Sequence, residues 1–129
     1  RPMNRNQLLR VGAALAALGV AAGAFGAHGL RAILSPKDLE TWETAVRYLL
    51  LHAVALVAIA SLPQGTRRAG LAAALVLAGT LVFSGTLFLL VLADLRWLGA
   101  ITPIGGVLMI AGWVVLASAA LPPRDAPAA

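Results

Sequence analysis

Charged residues divide the chain into four uncharged stretches, Val11 to Leu30, Tyr48 to Thr66, Ala69 to Ala93 and Trp97 to Pro123, of 20, 19, 25 and 27 residues. About 20 helical residues rising 1.5 Å each cross the roughly 30 Å hydrocarbon core of a bilayer. Every stretch has that reach, so the pattern predicts an all-α chain with four membrane spans, at approximately 8–29, 44–62, 69–92 and 98–121 of one domain over residues 1–129. The connections are short, which makes consecutive helices antiparallel neighbours in a membrane four-helix up-down-up-down bundle. Pro63-Gln64-Gly65 reads as a turn between spans. Ser35-Pro36-Lys37-Asp38 reads as a helix start, with Ser35 capping, Pro36 first and Asp38 against the positive end of the dipole, and carries the second helix to about Leu62. Thr102 and Pro103 predict the same cap for the fourth helix, and Gly29 after His28 reads as the C-cap of the first. Gly19, Gly23 and Ala27, like Gly70, Ala74 and Ala78, recur at four-residue spacing and predict faces where backbones pack closely.

Composition agrees with the pattern: 60% hydrophobic, 12% charged and a mean hydropathy of +0.90, where soluble domains carry about a quarter charged residues. A net charge of +5 would point to nucleic acid in a soluble protein, but here the ten basic residues gather at span ends. The expected partner is therefore the lipid bilayer with its anionic headgroups, and no nucleic acid. The absence of cysteine excludes disulfides, thiolate metal sites and thiol catalysis. Arg5 and Arg10 before an apolar run ending in Ala24-Phe25-Gly26-Ala27 imitate a signal peptide. That run exceeds the usual h-region of about 7 to 15 residues and the next segment is itself a span, so it reads as a retained first helix. Met3 reads as an initiator, with Arg1 and Pro2 an addition ahead of it.

Four spans place both termini on one side. Six basic residues lie there, Arg1, Arg5, Arg10, Arg67, Arg68 and Arg124, against Arg31, Lys37, Arg47 and Arg96 opposite. The terminal side is then net +5 after Asp125, while Asp38, Glu40, Glu43 and Asp94 bring the other side to zero. The positive-inside rule, which counts the basic residues, makes both termini cytoplasmic and sets Trp42 and Trp97 at the outer interface.

Few residues could carry chemistry inside the membrane. At 100° per residue Thr41, Ala45, Tyr48 and His52 share one stripe of the second helix. Counted from the same boundary, Ser84 and Thr86 of the third helix reach a similar depth, as do Gly105 and Gly106 of the fourth. The candidate site is thus a polar layer in the outer half of the bundle, comprising Tyr48, His52, Ser84 and Thr86. His28 stands near the same surface, and Glu43 and Arg47 are spaced to pair along the helix. An ionisable residue in a membrane is a functional candidate by default. Against that, a neutral His52 donating to Ser84, Thr86 or a backbone carbonyl would simply link two helices, and this structural role is favoured. Two imidazoles could ligate a haem, but a surface His28 and a deeper His52 make no ligation motif. Ser84 lacks an acid partner in its helix and a nucleophile elbow, and Glu43 is the one acid that could approach His52. No catalytic residue, cofactor or metal site is expected.

The segments Gly23-Ala24-Phe25-Gly26-Ala27-His28-Gly29-Leu30, Trp42 through Ala53, Phe83-Ser84-Gly85-Thr86-Leu87, Thr102-Pro103-Ile104-Gly105-Gly106 and Gly112-Trp113 together resemble the YgdD-type family. These are small bacterial inner-membrane proteins classed under a domain of unknown function, with a related small transmembrane protein in animals. The resemblance runs in order from the first helix to the fourth, departing modestly at Gly29, where that family often has alanine. It implies a multi-pass bacterial plasma-membrane protein and assigns no catalytic residue.

The function expected is that of a non-enzymatic structural or interaction module, a homo-oligomer or part of a larger membrane complex. The alternative is a lipid, quinone or small-solute binding or transport module using the outer-leaflet polar layer around His52. With no native cysteine, Gln64→Cys should react with a membrane-impermeant maleimide only in inverted vesicles and Lys37→Cys only in intact cells. The reverse labelling would overturn the topology.

Overall fold

The computed structural model describes residues 2–124, so Arg1 and Asp125 of the charge count lie outside the described residues. Helix α1, Arg5–Phe25, opens with a reciprocal capping box: Asn4 Oδ1 accepts from the Gln7 amide at 2.8 Å and Gln7 Oε1 from the Asn4 amide at 3.0 Å. Helix α2, Pro36–Ala60, starts where the sequence predicts, with Ser35 Oγ accepting from the Asp38 amide at 3.1 Å. Helices α3, Ala69–Leu92, and α4, Thr102–Ala117, follow. A tight turn separates α2 from α3, closed by the Thr66 amide on the Pro63 carbonyl at 3.2 Å, with Gly65 at the left-handed φ of 84° that glycine tolerates.

Four stretches, Arg5–Leu30, Pro36–Ala60, Ala69–Leu92 and Arg96–Ala117, are long and apolar enough to cross a membrane. The chain is an all-α up-down-up-down bundle. Among the described residues no strand forms; Arg67 and Ala120 make one isolated antiparallel bridge.

Two helix ends differ from the sequence expectation. Gly29 does not cap α1, because the helix continues through a π turn, Gly26–Leu30, with Arg31 at its C-cap and Gly29 packed against the Phe25 ring. Thr102 does not cap α4, because a 3-10 turn, Arg96–Ala100, leads straight into the helix and Ile101 takes the cap position. The Thr102 hydroxyl instead donates back to the Leu98 carbonyl at 3.1 Å.

Helix α2 is the centre of the bundle, with half of its most apolar window buried against 17% for the first span, 28% for the third and 22% for the fourth. Its neighbours approach where side chains are smallest. Gly12, Gly19, Gly23 and Gly26 of the first span face Val57, Leu50, Val46 and Trp42 of α2, so the predicted Gly19 and Gly23 stripe is used within the chain. Gly79 of α3 and Gly105 and Gly112 of α4 bring those two backbones together: a Cβ on Gly105 would lie 2.7 Å from the Gly79 carbonyl oxygen, and one on Gly112 would lie 3.0 Å from the Val76 amide nitrogen. The second stripe behaves differently. Gly70 has open space around its missing Cβ, and Gly70, Ala74 and Ala78 line a groove of about 540 Å³ beside the start of α1.

At the end of the bundle away from the termini Arg96 donates twice to Asp38, Nη1 to Oδ1 at 2.7 Å and Nη2 to Oδ2 at 3.0 Å, and its Nε donates to Asp94 at 2.6 Å. This clasp ties the start of α2 to the α3–α4 turn. At the other end Arg68 Nη1 donates to Ser118 Oγ at 2.9 Å.

Gly105→Ala forces a methyl group against backbone, which has no rotamer to yield, and should cost about 1–3 kcal/mol. Gly106→Ala meets nothing closer than Phe83 Cδ2 at 3.9 Å and should be neutral or stabilising. Thermal melts in mild detergent compare the two, and equal shifts would sink the close-contact account.

Candidate functional site

Tyr48 and His52 lie one turn apart on α2, their rings parallel at 8° with centroids 5.9 Å apart. Tyr48 is 39% exposed and packs on Phe83 at 4.6 Å, whereas His52 is only 5% exposed. His52 Nδ1 lies 2.7 Å from the Tyr48 carbonyl oxygen, and His52 Nε2 accepts from Trp113 Nε1 of α4 at 3.0 Å. A carbonyl only accepts and an indole only donates, so these partners select the neutral tautomer with its proton on Nδ1. Both ring nitrogens are therefore engaged within the chain, and ligation of a metal or haem by Nε2 would require breaking the Trp113 bond.

Ser84 is buried on α3 and donates to the Ala45 carbonyl of α2 at 2.8 Å. With the Thr102 hydroxyl hydrogen given to Leu98, Thr86 donates to Thr102 Oγ1 of α4 at 2.7 Å, its own oxygen lying 2.6 Å from the Val82 carbonyl oxygen. The single polar layer expected around His52 is consequently two layers. The α2–α3 register sets Ala45, seven residues before His52, beside Ser84, which separates the levels by about 10 Å along the axis. His52 also belongs to the half of α2 nearer the termini, eight residues from its end at Ala60 and sixteen from Pro36.

The remaining candidates do not join either layer. His28 is exposed on the π turn. Glu43 and Arg47 are exposed on the outward face of α2 and do not pair with each other; the ion pairs among the described residues are those of Arg96. Nine positions at 100° and 1.5 Å put Glu43 about 180° around and 13.5 Å along from His52, so it cannot serve as its acid partner. Among the described residues no three histidine or acidic side chains gather in a metal-binding group. Asp38, in the first turn of α2, is paired with the Arg96 guanidinium.

Sequence reasoning missed two tryptophans. Trp42 is not an interface anchor: it is 4% exposed, inserted between Gly26 of the first span and Phe88 of α3, with Nε1 donating to the Ala22 carbonyl of α1 at 2.9 Å. Trp113 supplies the partner that His52 needs. In each case the available signal was an indole N–H, which wants an acceptor when buried.

The site thus consists largely of bonds that join helices. A family model described as "Protein of unknown function (DUF423)" matches residues 22–106. The chain belongs to the DUF423 family. The UPF0382 membrane protein SERP0230 of Staphylococcus epidermidis is 47% identical over 113 residues, 86% of this chain and 92% of that protein. UPF0382 membrane protein SH2409 of Staphylococcus haemolyticus is 45% identical over 107 residues, 82% of this chain and 88% of its own length. UPF0382 membrane protein SAUSA300_0565 of Staphylococcus aureus is 48% identical over the same number of residues. No solved structure matches the chain. The chain is a multi-pass membrane protein of a family of unknown function. The DUF423 match begins at Ala22, the acceptor of the Trp42 bond, and takes in the Ser84–Ala45 and Thr86–Thr102 bonds, whereas Trp113 lies beyond it.

Trp113→Phe keeps the ring and leaves His52 Nε2 without its donor, and should cost about 1 kcal/mol. In a double-mutant cycle with His52→Leu, the coupling should fall near the 0.6 kcal/mol typical of membrane helices and below about 1.7 kcal/mol. Additive effects on unfolding in bicelles would remove the link from the account of stability.

Proposed function

We propose that this protein is a non-enzymatic structural or interaction module of the bacterial inner membrane, with both termini cytoplasmic, as its YgdD-type resemblance and basic-residue bias suggest. One observation carries the reading: the inward-facing polar side chains of the bundle are bonded within the chain, Thr80 to its own helix and four others from one helix to the next. Trp42 is bonded to Ala22, Ser84 to Ala45, His52 to Trp113 and Thr86 to Thr102. Among the described residues no buried side-chain nitrogen or oxygen lacks a partner. A catalytic or ligand-binding constellation would instead hold polar groups in reserve, aimed at a cavity.

The competing reading, a lipid, quinone or solute module, asks for a cavity reaching His52, Tyr48 and Ser84. Of the grooves present, that of about 540 Å³ lies between the start of α1 and α3, and one of about 280 Å³ lies between Ala55–Leu62 and Trp113–Leu121. Both sit toward the terminal side, and neither is lined by those three residues. The partners favoured are therefore protein, as copies of this chain or a larger membrane complex, within the surrounding lipid.

Native mass spectrometry of protein extracted mildly from its own membrane tests the reading. A homo-oligomer or a complex with other proteins is expected. A monomer carrying one defined small molecule, lost in His52→Leu but retained in a folded Gly106→Ala control, would overturn it.

A further inference from the structure

Three sides of α2 are covered and the fourth is open. α1 covers the side that holds Val46, Leu50 and Val57; α3 covers that of Ala45 and Leu56; and Trp113 of α4 reaches that of His52. On a helical projection the uncovered side carries Lys37, Glu40, Glu43, Thr44, Arg47, Leu51, Val54 and Ala58, all within about 60° of one line. All of them are exposed except Thr44, which is half-buried.

This open face takes charge deep into the bundle. Asp38 meets Arg96 at the polar edge, and Glu43 and Arg47 follow about 7.5 and 13.5 Å further along the axis. At those levels the flanking helices offer no counter-charge. Trp42 packs on Gly26, Val46 on Gly23 and Ala45 on Ser84, all within uncharged stretches of the first and third spans. Charges facing hydrocarbon are unfavourable unless something pairs with them.

The four charges are suited to pair with themselves. Two cations, Lys37 and Arg47, bracket two anions, Glu40 and Glu43, and the set sums to zero. In a parallel pair of α2 helices, Glu43 of one copy and Arg47 of the other differ in height by about 6 Å, and Glu40 and Lys37 by about 4.5 Å, within reach of their long side chains. A two-fold axis makes each pair twice, whereas a set of one sign would repel its own image. Beyond the charges the face continues through Leu51, Val54 and Ala58 at spacings of three and four, the seam of two helices crossing near +20°, whose charged ends splay and keep Glu40 and Arg47 off their own images.

We propose that this face of α2 is where two copies of the chain meet, side by side about a two-fold axis along the membrane normal. The proposal rests on the interaction reading above and names the partner as a second copy. The association also brings α1 of one copy against α4 of the other, since the two flank the open face on opposite sides.

The absence of native cysteine makes the test direct. In native membranes, oxidation of Leu51→Cys should give at least about tenfold more disulfide-linked dimer than Leu81→Cys, an exposed position at similar depth on α3. In the Leu51→Cys background, Glu43→Lys or Arg47→Glu alone should cut the dimer at least about fivefold by setting like charges together. The combined exchange keeps the composition and should restore the dimer to within about twofold. Equal crosslinking at positions 51 and 81, or no recovery in the combined exchange, would overturn the proposal. If crosslinking at 51 fails while the extracted protein carries another membrane protein, the interaction reading stands without the dimer. If the extract holds only a small ligand that depends on His52, both fall.

Discussion

The structure depends on one constraint: lipid outside the bundle is as apolar as the side chains inside it, so burying leucine does little to hold one helix against another. Directional bonds and close contacts must decide which helices pair. In this chain they converge on α2. The Trp42 indole reaches the Ala22 carbonyl of α1, the Ala45 carbonyl receives Ser84 of α3, and His52 receives Trp113 of α4. Each other helix is thus fixed to α2 by one hydrogen bond at a different level, and Arg96 fixes the end away from the termini through Asp38. A helix with three such anchors at three heights can neither rotate nor slide without breaking one.

Between the anchors, contact is set by size. Glycines on α1 accept the bulk of Trp42, Val46 and Leu50, and those at 79, 105 and 112 let α3 and α4 approach backbone to backbone. The two devices are complementary. Hydrogen bonds fix register and rotation, while glycine contacts gather many weak dispersion terms that full-sized side chains would hold apart. The π turn at Gly26–Leu30 belongs to the same packing, since it follows directly on the place where Gly26 makes room for Trp42.

Much of the fold was legible in the sequence. Charge-bounded stretches revealed four apolar helices, Ser35-Pro36 the start of α2, Pro63-Gln64-Gly65 a turn, and Gly19 and Gly23 a packed face. The candidate site was less legible. In a soluble helix apolar periodicity tells inside from outside, but α3 is apolar on every side, so nothing in its hydropathy says that Ser84 faces α2 or that Gly79 faces Gly105. Register between helices is a tertiary property. Depth counted from span ends therefore put Ser84 level with His52, when the packed bundle puts it level with Ala45. The tryptophans misled for a related reason: abundance at interfaces is a statistical tendency, and a glycine opposite Trp42 converts an anchor into a core residue.

The same geometry divides the polar residues of α2 into two sets with different work. Trp42 and His52 face inward and are satisfied within the chain; Lys37, Glu40, Glu43 and Arg47 face outward along a side that no other helix covers. The inner set accounts for the bundle as a monomeric unit, because every bond it makes is closed. The outer set forms no ion pair within that unit. A helix that buries its indole and imidazole while leaving Glu40, Glu43 and Arg47 outside has placed its most strongly interacting groups where its own fold does not pair them. Both ring nitrogens of His52 are engaged within the chain, so the charged groups that α2 leaves facing outward are Lys37, Glu40, Glu43 and Arg47.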